Sequence, residues 1–107
     1  MDLHKITNNI AKSAVEALQD GNSNRWLSFF TDNVKLLDDG HPRDFKKFST
    51  EAIGHEHFTS IDKVEDNGQS VFGKFHTETW GDFKAYFKFH INQDGKIYQL
   101  EIGQANY

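Results

Sequence analysis

The sequence predicts an α+β domain in which three N-terminal helices pack on one face of a curved, mainly antiparallel sheet. Three observations predict this class. Apolar residues recur at helical spacing in the first half of the chain, apolar and polar residues alternate from residue 57 onward, and Gly- and Asn-containing turns separate the alternating segments. Because the chain has 107 residues, we expect a single domain over residues 1–107.

Two helices are expected before the first strand. Apolar residues from Leu3 to Leu18 recur at helical spacing, and Gly21 suits the left-handed position that follows many helix ends. Asn22 or Ser23 can then cap a second, shorter helix that carries Trp26.

The first strand and the third helix come next. The predicted strand is Val34–Asp38, and its alternation places Asp38 on the same side as Leu36. A helix from about Asp44 to Ile53 follows, and Gly54 ends it.

The rest of the chain predicts antiparallel sheet. Asn67-Gly68 indicates a two-residue hairpin, and a four-residue loop at Asn92–Gly95 would pair Phe89 with Tyr98. One face of the sheet is then almost wholly apolar, so the helices must cover it. The four predicted strands are His57–Glu65, Gln69–Thr79, Phe83–Ile91 and Lys96–Gln104.

The turn at Trp80–Phe83 leaves two registers open. If Gly81-Asp82 forms a two-residue loop, His76 and Glu78 face the covered side of the sheet. A three-residue loop would instead turn both residues outward. The residues that would then face inward are Val71, Gly73, Phe75 and Thr77.

Composition excludes several classes of protein. The net charge of −4 and the scattered lysines argue against a nucleic-acid partner. The chain has no cysteine, which excludes disulfides, thiol nucleophiles and zinc–thiolate sites. The first residues lack the layout of a signal peptide, and no apolar run approaches the roughly 20 residues of a membrane span. We therefore expect a soluble, cytoplasmic protein without a membrane partner.

The segment His55-Glu56-His57, with His41 nearby, suggests metal ligands. No further ligand stands at a recognisable spacing from them, so we expect no metal and no cofactor. The ten Phe, three Tyr and two Trp are a large aromatic content for one sheet. This leaves aromatic surface for a ligand cavity or a subunit interface.

Three segments resemble the nuclear transport factor 2-like superfamily, which includes ketosteroid isomerase and the SnoaL-like polyketide cyclases. They are Asp20-Gly21 at a helix end, Trp26–Val34, and Asp94–Ile97 before the last strand. The resemblance covers nearly the whole chain. It implies a cone-shaped, cystatin-like α+β fold with an apolar pocket, and a homodimer formed through the outer sheet face.

The comparison with ketosteroid isomerase transfers only one catalytic position. The catalytic base of the isomerase corresponds to Asp38, but its two oxyanion donors correspond to Ala14 and Phe87. Neither side chain can donate a hydrogen bond, and losing one such donor costs on the order of 10²–10³ in rate. Steroid isomerase chemistry is therefore not expected.

Two hypotheses of function follow, and the sequence leaves open whether the protein is an enzyme. In the first, a SnoaL-like protein binds a small apolar organic molecule and transforms it by isomerase-, cyclase- or hydrolase-type proton transfer. Asp38 would be the base and His76 would assist it. In the second, a non-enzymatic binding or dimerisation module has a filled cone, and Asp38 is only a turn residue. The residues expected to bind the ligand are Trp26, Glu78, Phe83, Phe87 and Gln104, with plain core as the alternative for Trp26.

Overall fold

A computed structural model of the chain describes residues 2–107. Within these residues the chain forms three α-helices and seven β-strands, and no helix is long and apolar enough to cross a membrane. In chain order the elements are α1 (Asn9–Asp20), α2 (Ser23–Ser28), β1 (Phe30–Asp38), β2 (His41–Arg43), α3 (Phe45–Ala52), β3 (His57–Phe58), β4 (Lys63–Glu65), β5 (Ser70–Thr77), β6 (Gly81–Ile91) and β7 (Ile97–Gln104).

Side-chain caps set the starts of the first two helices. The Asn8 side chain accepts a hydrogen bond from the Ala11 amide, so α1 begins at Asn9 and Leu3–Lys5 form a separate 3-10 turn. Gly21 ends α1 in the left-handed conformation, with φ of 67°, which confirms its predicted role. Asn22 caps α2 in the same way that Asn8 caps α1.

The third helix does not belong to the N-terminal group. It follows β1 and β2, so only α1 and α2 precede the sheet. Strand β2 was not predicted. It pairs antiparallel with the end of β1 across a tight turn. Asp39 and Gly40 form this turn with positive φ angles of 50° and 85°. Pro42 is tolerated in β2 because β2 is an edge strand.

All seven strands belong to one open, mixed sheet. Its order is β2-β1-β7-β6-β5-β3, and β4 also pairs with β5. β1 runs parallel to β7, and the other pairs are antiparallel. The α+β class is confirmed, with helices packed against a sheet that is mainly antiparallel.

The β5–β6 hairpin uses the three-residue loop of residues 78–80. Thr77 pairs with Gly81 and His76 pairs with Asp82, so the two-residue alternative is wrong. The Thr77 hydroxyl fixes the longer loop, because it accepts a hydrogen bond from the Trp80 amide at 2.8 Å. His76 therefore lies on the outer side of the sheet. The inward residues are Val71, Gly73, Phe75 and Thr77, all of them buried.

The β6–β7 register also differs from the prediction. Phe89 pairs with Leu100 rather than Tyr98, because the pairing shifts at a bulge beside His90. Tyr98 is displaced to the outer side, where it is 47% exposed, and Ile97 takes the buried position. The face of the sheet that the helices cover is unchanged.

The predicted strand His57–Glu65 is divided into β3 and β4. Residues 59–62 leave the sheet and pass over Gly73 in β5, where a Cβ atom would overlap the Ser60 carbonyl oxygen. Next to β4, the Asn67-Gly68 hairpin exists, but its loop has four residues because Glu65 pairs with Ser70. The pairing register is the same for both loop lengths.

Trp26 is the centre of the core between the helices and the sheet. It is fully buried, and its ring lies 4.7 Å from that of Phe30, 6.4 Å from Phe45 and 6.5 Å from Phe89. Its indole nitrogen donates a buried hydrogen bond of 3.0 Å to the Ser49 hydroxyl on α3. One side chain thus connects α2, α3, β1 and β6.

Removing the acceptor of this bond should destabilise the fold. We expect Ser49→Ala to lower the free energy of unfolding by about 1–3 kcal/mol, because the buried indole N–H loses its partner. Urea denaturation measures this loss. In the Trp26→Phe background Ser49→Ala should cost much less, and the exposed neighbour Thr50→Ala is the control. An equal cost in both backgrounds would mean that the hydrogen bond contributes nothing.

The crossing at Gly73 should be equally sensitive. We expect Gly73→Ala to destabilise the protein by about 1–3 kcal/mol or more, because the new methyl group meets the backbone carbonyl of Ser60. Thermal denaturation followed by circular dichroism would test this, with the exposed neighbour Lys74→Ala as control. A melting temperature equal to that of the wild type would contradict the close approach.

Candidate functional site

A cavity with an apolar wall lies between the covered face of the sheet, the end of β1 and the segment that follows α3. Its volume is about 440 Å³. The residues that line it are Asp38, Asp39, Arg43, Phe48, Glu56, Phe75, Thr77, Trp80, Phe83, Ala85, Phe87, Ile102, Gly103 and Gln104.

Phenylalanines from neighbouring strands form its apolar wall. Phe75 and Phe83 are directly paired across β5 and β6, and their ring centroids lie 6.2 Å apart. The Phe87 ring lies 5.3 Å from that of Phe75. These three positions alternate along their strands, so the pleat directs them to the same face. Phe83 is only half-buried, which leaves its ring accessible from the cavity.

Asp38 and Arg43 form an ion pair at the rim of the cavity. The β1–β2 hairpin places them on one side, and Arg43 Nη1 donates to Asp38 Oδ2 at 2.8 Å. Arg43 Nη2 donates to Glu51 on α3 at 3.3 Å, and the guanidinium lies 5.0 Å from the centre of the Phe48 ring. Both members of the Asp38–Arg43 pair are about a third exposed, at 36% and 37%, so water screens their attraction.

Glu56 is a further carboxyl group in the cavity, and it was not among the predicted site residues. It lies half-buried between Gly54 and β3. Burial raises the pKa of the Glu56 carboxyl, and the negative charge of Glu51 raises it further. The positive charge of Arg43 opposes this rise. One signal could have identified Glu56: in an extended segment after Gly54, neighbours alternate sides, so Glu56 points away from His55 and His57.

Asp39 and Gln104 lie together at the end of the sheet. Asp39 Oδ1 accepts a hydrogen bond from the backbone amide of Gln104 at 3.1 Å. The backbone amide of Asp39 donates to the Ile102 carbonyl at 2.8 Å. Asp39 thereby joins the β1–β2 turn to the end of β7. Its carboxylate lines the cavity but already has a structural partner.

His76 and Glu78 do not line the cavity, which corrects their predicted placement. The three-residue loop turns His76 outward, where its Nδ1 lies 2.6 Å from Asp82 Oδ1. Glu78 pairs with His55 at 3.1 Å. It lines a neighbouring groove of about 510 Å³ that shares Arg43, Glu56 and Trp80 with the cavity.

Trp26 is also absent from the cavity wall, since its fully buried ring belongs to the core. The structure brings together the other predicted site residues, Asp38, Phe83, Phe87 and Gln104. The positions that correspond to oxyanion donors in ketosteroid isomerase are apolar and buried: Ala14 is fully buried, and Phe87 offers only its ring.

The histidines do not build a metal centre. The His57 ring lies tilted beside that of His76, with ring centroids 5.2 Å apart, and His55 pairs with Glu78. Across residues 2–107, no three His, Asp or Glu side chains converge closely enough to hold a metal ion.

Comparison with known proteins identifies the fold. No protein-family model matches the sequence, and no curated protein matches it significantly. Solved structures do match. The chain superimposes on a nuclear transport factor 2-like protein of unknown function from Cytophaga hutchinsonii with a TM-score of 0.73 and 14% identity, covering 92% of this chain and 89% of that one.

Two further structures have the same architecture. A polyketide cyclase-like protein from Sinorhizobium meliloti matches with a TM-score of 0.72 and 15% identity over 95% of this chain and 99% of that one. A SnoaL-like protein of unknown function from Burkholderia thailandensis matches with a TM-score of 0.67 and 16% identity, covering 94% and 98%. The chain therefore has the fold of the nuclear transport factor 2-like superfamily.

Proposed function

We propose that this protein binds a small, mainly apolar organic molecule in the cavity and transfers a proton on it. In this proposal Asp38 is the base that accepts a proton from the ligand, and Glu56 is the acid that donates a proton to it. The observation that carries the proposal is that both carboxyl groups line one cavity whose wall is made of phenylalanine rings.

The size of the cavity supports ligand binding. Pockets that hold small molecules have volumes of roughly 300–1,000 Å³, and this one has about 440 Å³. We propose that helices and sheet form a cone whose narrow end is filled by Trp26 and Phe89 and whose wide end holds the ligand. Both rings are buried and neither lines the cavity.

The two carboxyl groups suit complementary roles. Arg43 holds the Asp38 carboxylate at the rim, where it can accept a proton from a carbon next to a carbonyl group. Burial raises the pKa of Glu56, so its carboxyl retains a proton to a higher pH and can donate it to the carbonyl oxygen. General acid–base catalysis of this kind contributes on the order of 10²–10⁴ in rate.

The comparisons support a reaction of this class only at the level of the fold. SnoaL-like and polyketide cyclase-like proteins share the architecture, and one architecture can host unrelated chemistries. The proposal therefore rests on the cavity residues of this chain.

A non-enzymatic binding module is the second candidate, and one contact favours it. The Asp38 carboxylate already has a guanidinium partner in Arg43, so an incoming proton competes with that ion pair. Ala14 and Phe87 also provide no hydrogen bond for a developing negative charge. In this version the ligand is held without reaction, and the outer sheet face around Tyr98 serves a homodimer.

The base role of Asp38 is testable by hydrogen exchange. Small cyclic ketones and lactones would be incubated with the protein in D₂O. NMR would then measure the incorporation of deuterium at the carbon next to the carbonyl group. We expect Asp38→Asn to slow the enzyme-dependent exchange at least about 100-fold, because the proton acceptor is lost. Its stability should change by less than about 1 kcal/mol, since the pair with Arg43 is solvent-screened.

Asp94→Asn in the β6–β7 loop is the matched control and should exchange at the wild-type rate. If Asp38→Asn retains the exchange rate of the wild type, Asp38 is not the base. If no compound exchanges faster with the protein than without it, the binding-module alternative replaces the enzyme proposal.

Glu56 should lower stability at neutral pH. Its pKa is raised in the folded state, so below the unfolded value of 4.5 both states hold the proton and the group has no effect. As pH rises through the folded pKa, the buried charge destabilises the protein. We expect Glu56→Gln to raise the free energy of unfolding at pH 7.5 but not at about pH 3.5, as measured by urea denaturation. The exposed Glu65→Gln should show no such gain, and a Glu56→Gln gain of equal size at both pH values would contradict the raised pKa.

A further inference from the structure

We infer that the ligand of this cavity carries a positive charge, as an organic ammonium group attached to an apolar body. The inference rests on the proposed function insofar as it requires the cavity to bind a small molecule. It goes beyond the proposal by assigning the chemical class of that molecule. Charge, wall chemistry and one unpaired carboxyl group support it independently.

The charge lining the cavity is negative. Its carboxyl groups belong to Asp38, Asp39 and Glu56, and its one cationic side chain is Arg43. Arg43 is already neutralised, because its two terminal nitrogens contact Asp38 and Glu51 at 2.8 and 3.3 Å. An anionic ligand would therefore face carboxylates without a free cationic partner.

The wall is aromatic on several sides, and aromatic faces attract cations. Phe48 already has a cation over its ring, the guanidinium of Arg43 at 5.0 Å. This contact shows that a cation placed between carboxylates and an aromatic ring is compatible with the cavity. Within residues 2–107 no Lys or Arg lies over the rings of Phe83 or Trp80, the two cavity rings with substantial exposed surface.

Glu56 lacks a compensating partner. It is half-buried, and in the part of the chain that the structure describes no ion pair or side-chain hydrogen bond reaches its carboxyl group. Burial raises its pKa, and the positive charge of Arg43 opposes this only in part. In its ionised form, which is not the form used for proton donation, Glu56 would gain the missing countercharge from a ligand cation beside it. An uncharged ligand would bury the carboxylate further without relief.

A matched ligand series separates charge from shape. The three probes are 3-phenylpropyltrimethylammonium, its uncharged isostere with carbon in place of nitrogen, and 4-phenylbutyrate. Isothermal titration calorimetry would measure their dissociation constants with the full chain at pH 7.5. We expect the cation to bind at least about tenfold more tightly than the isostere, and the anion to bind most weakly.

Variants then locate the source of the preference. Glu56→Gln should remove most of the cation's advantage over the uncharged isostere. Glu56→Asp keeps the charge and should retain part of the advantage. Glu65→Gln removes one negative charge far from the cavity and should change nothing. Circular dichroism would establish that each variant is folded.

The outcomes distinguish the two claims. If the isostere or the anion binds the wild type as tightly as the cation does, the inference about charge is overturned while the binding function stands. The same holds if folded Glu56→Gln keeps the full preference for the cation. If none of the three probes binds the folded wild type at millimolar concentration, both the inference and the proposed binding function are overturned.

Discussion

The parallel pairing of β1 with β7 determines where the cavity lies. It joins the first strand to the last, and it places Asp38 directly beside Ile102. Ile102 in turn pairs with Phe87, so the carboxylate at the end of β1 and the aromatic wall on β6 meet around one residue. Without this long-range contact the polar rim and the apolar wall would belong to separate surfaces.

Helix α3 completes the arrangement from the other side. Trp26 links it to the core through the Ser49 hydrogen bond, and Glu56 lies shortly after the last residue of α3, Ala52. Glu51 on the same helix restrains Arg43. The acidic rim thus depends on core packing, so a change in the core can alter the cavity even when no cavity residue is changed.

The sequence predicted the features that depend on local periodicity and missed those that depend on distant partners. The α+β class, the helix end at Gly21 and the inward position of Phe87 follow from spacing alone. The sheet registers did not, because the Thr77 hydroxyl and the bulge near Tyr98 are fixed by neighbours that spacing does not reveal. Arg43 escaped notice because it lies in a three-residue strand that exists only by pairing with β1. Glu56 was considered only as a metal ligand together with its adjacent histidines, and not as a carboxyl group of the cavity.

The two ends of the open sheet have a consequence for behaviour at high concentration. An unpaired strand edge can recruit the edge of another molecule and start fibrous aggregation. Here β2 has three residues and includes Pro42, which has no amide hydrogen to donate, and β3 at the opposite end has only two residues. Both of these terminal strands are therefore too short to template a long added strand. Short terminal strands let the sheet remain open with less of the aggregation hazard that a long open edge would bring.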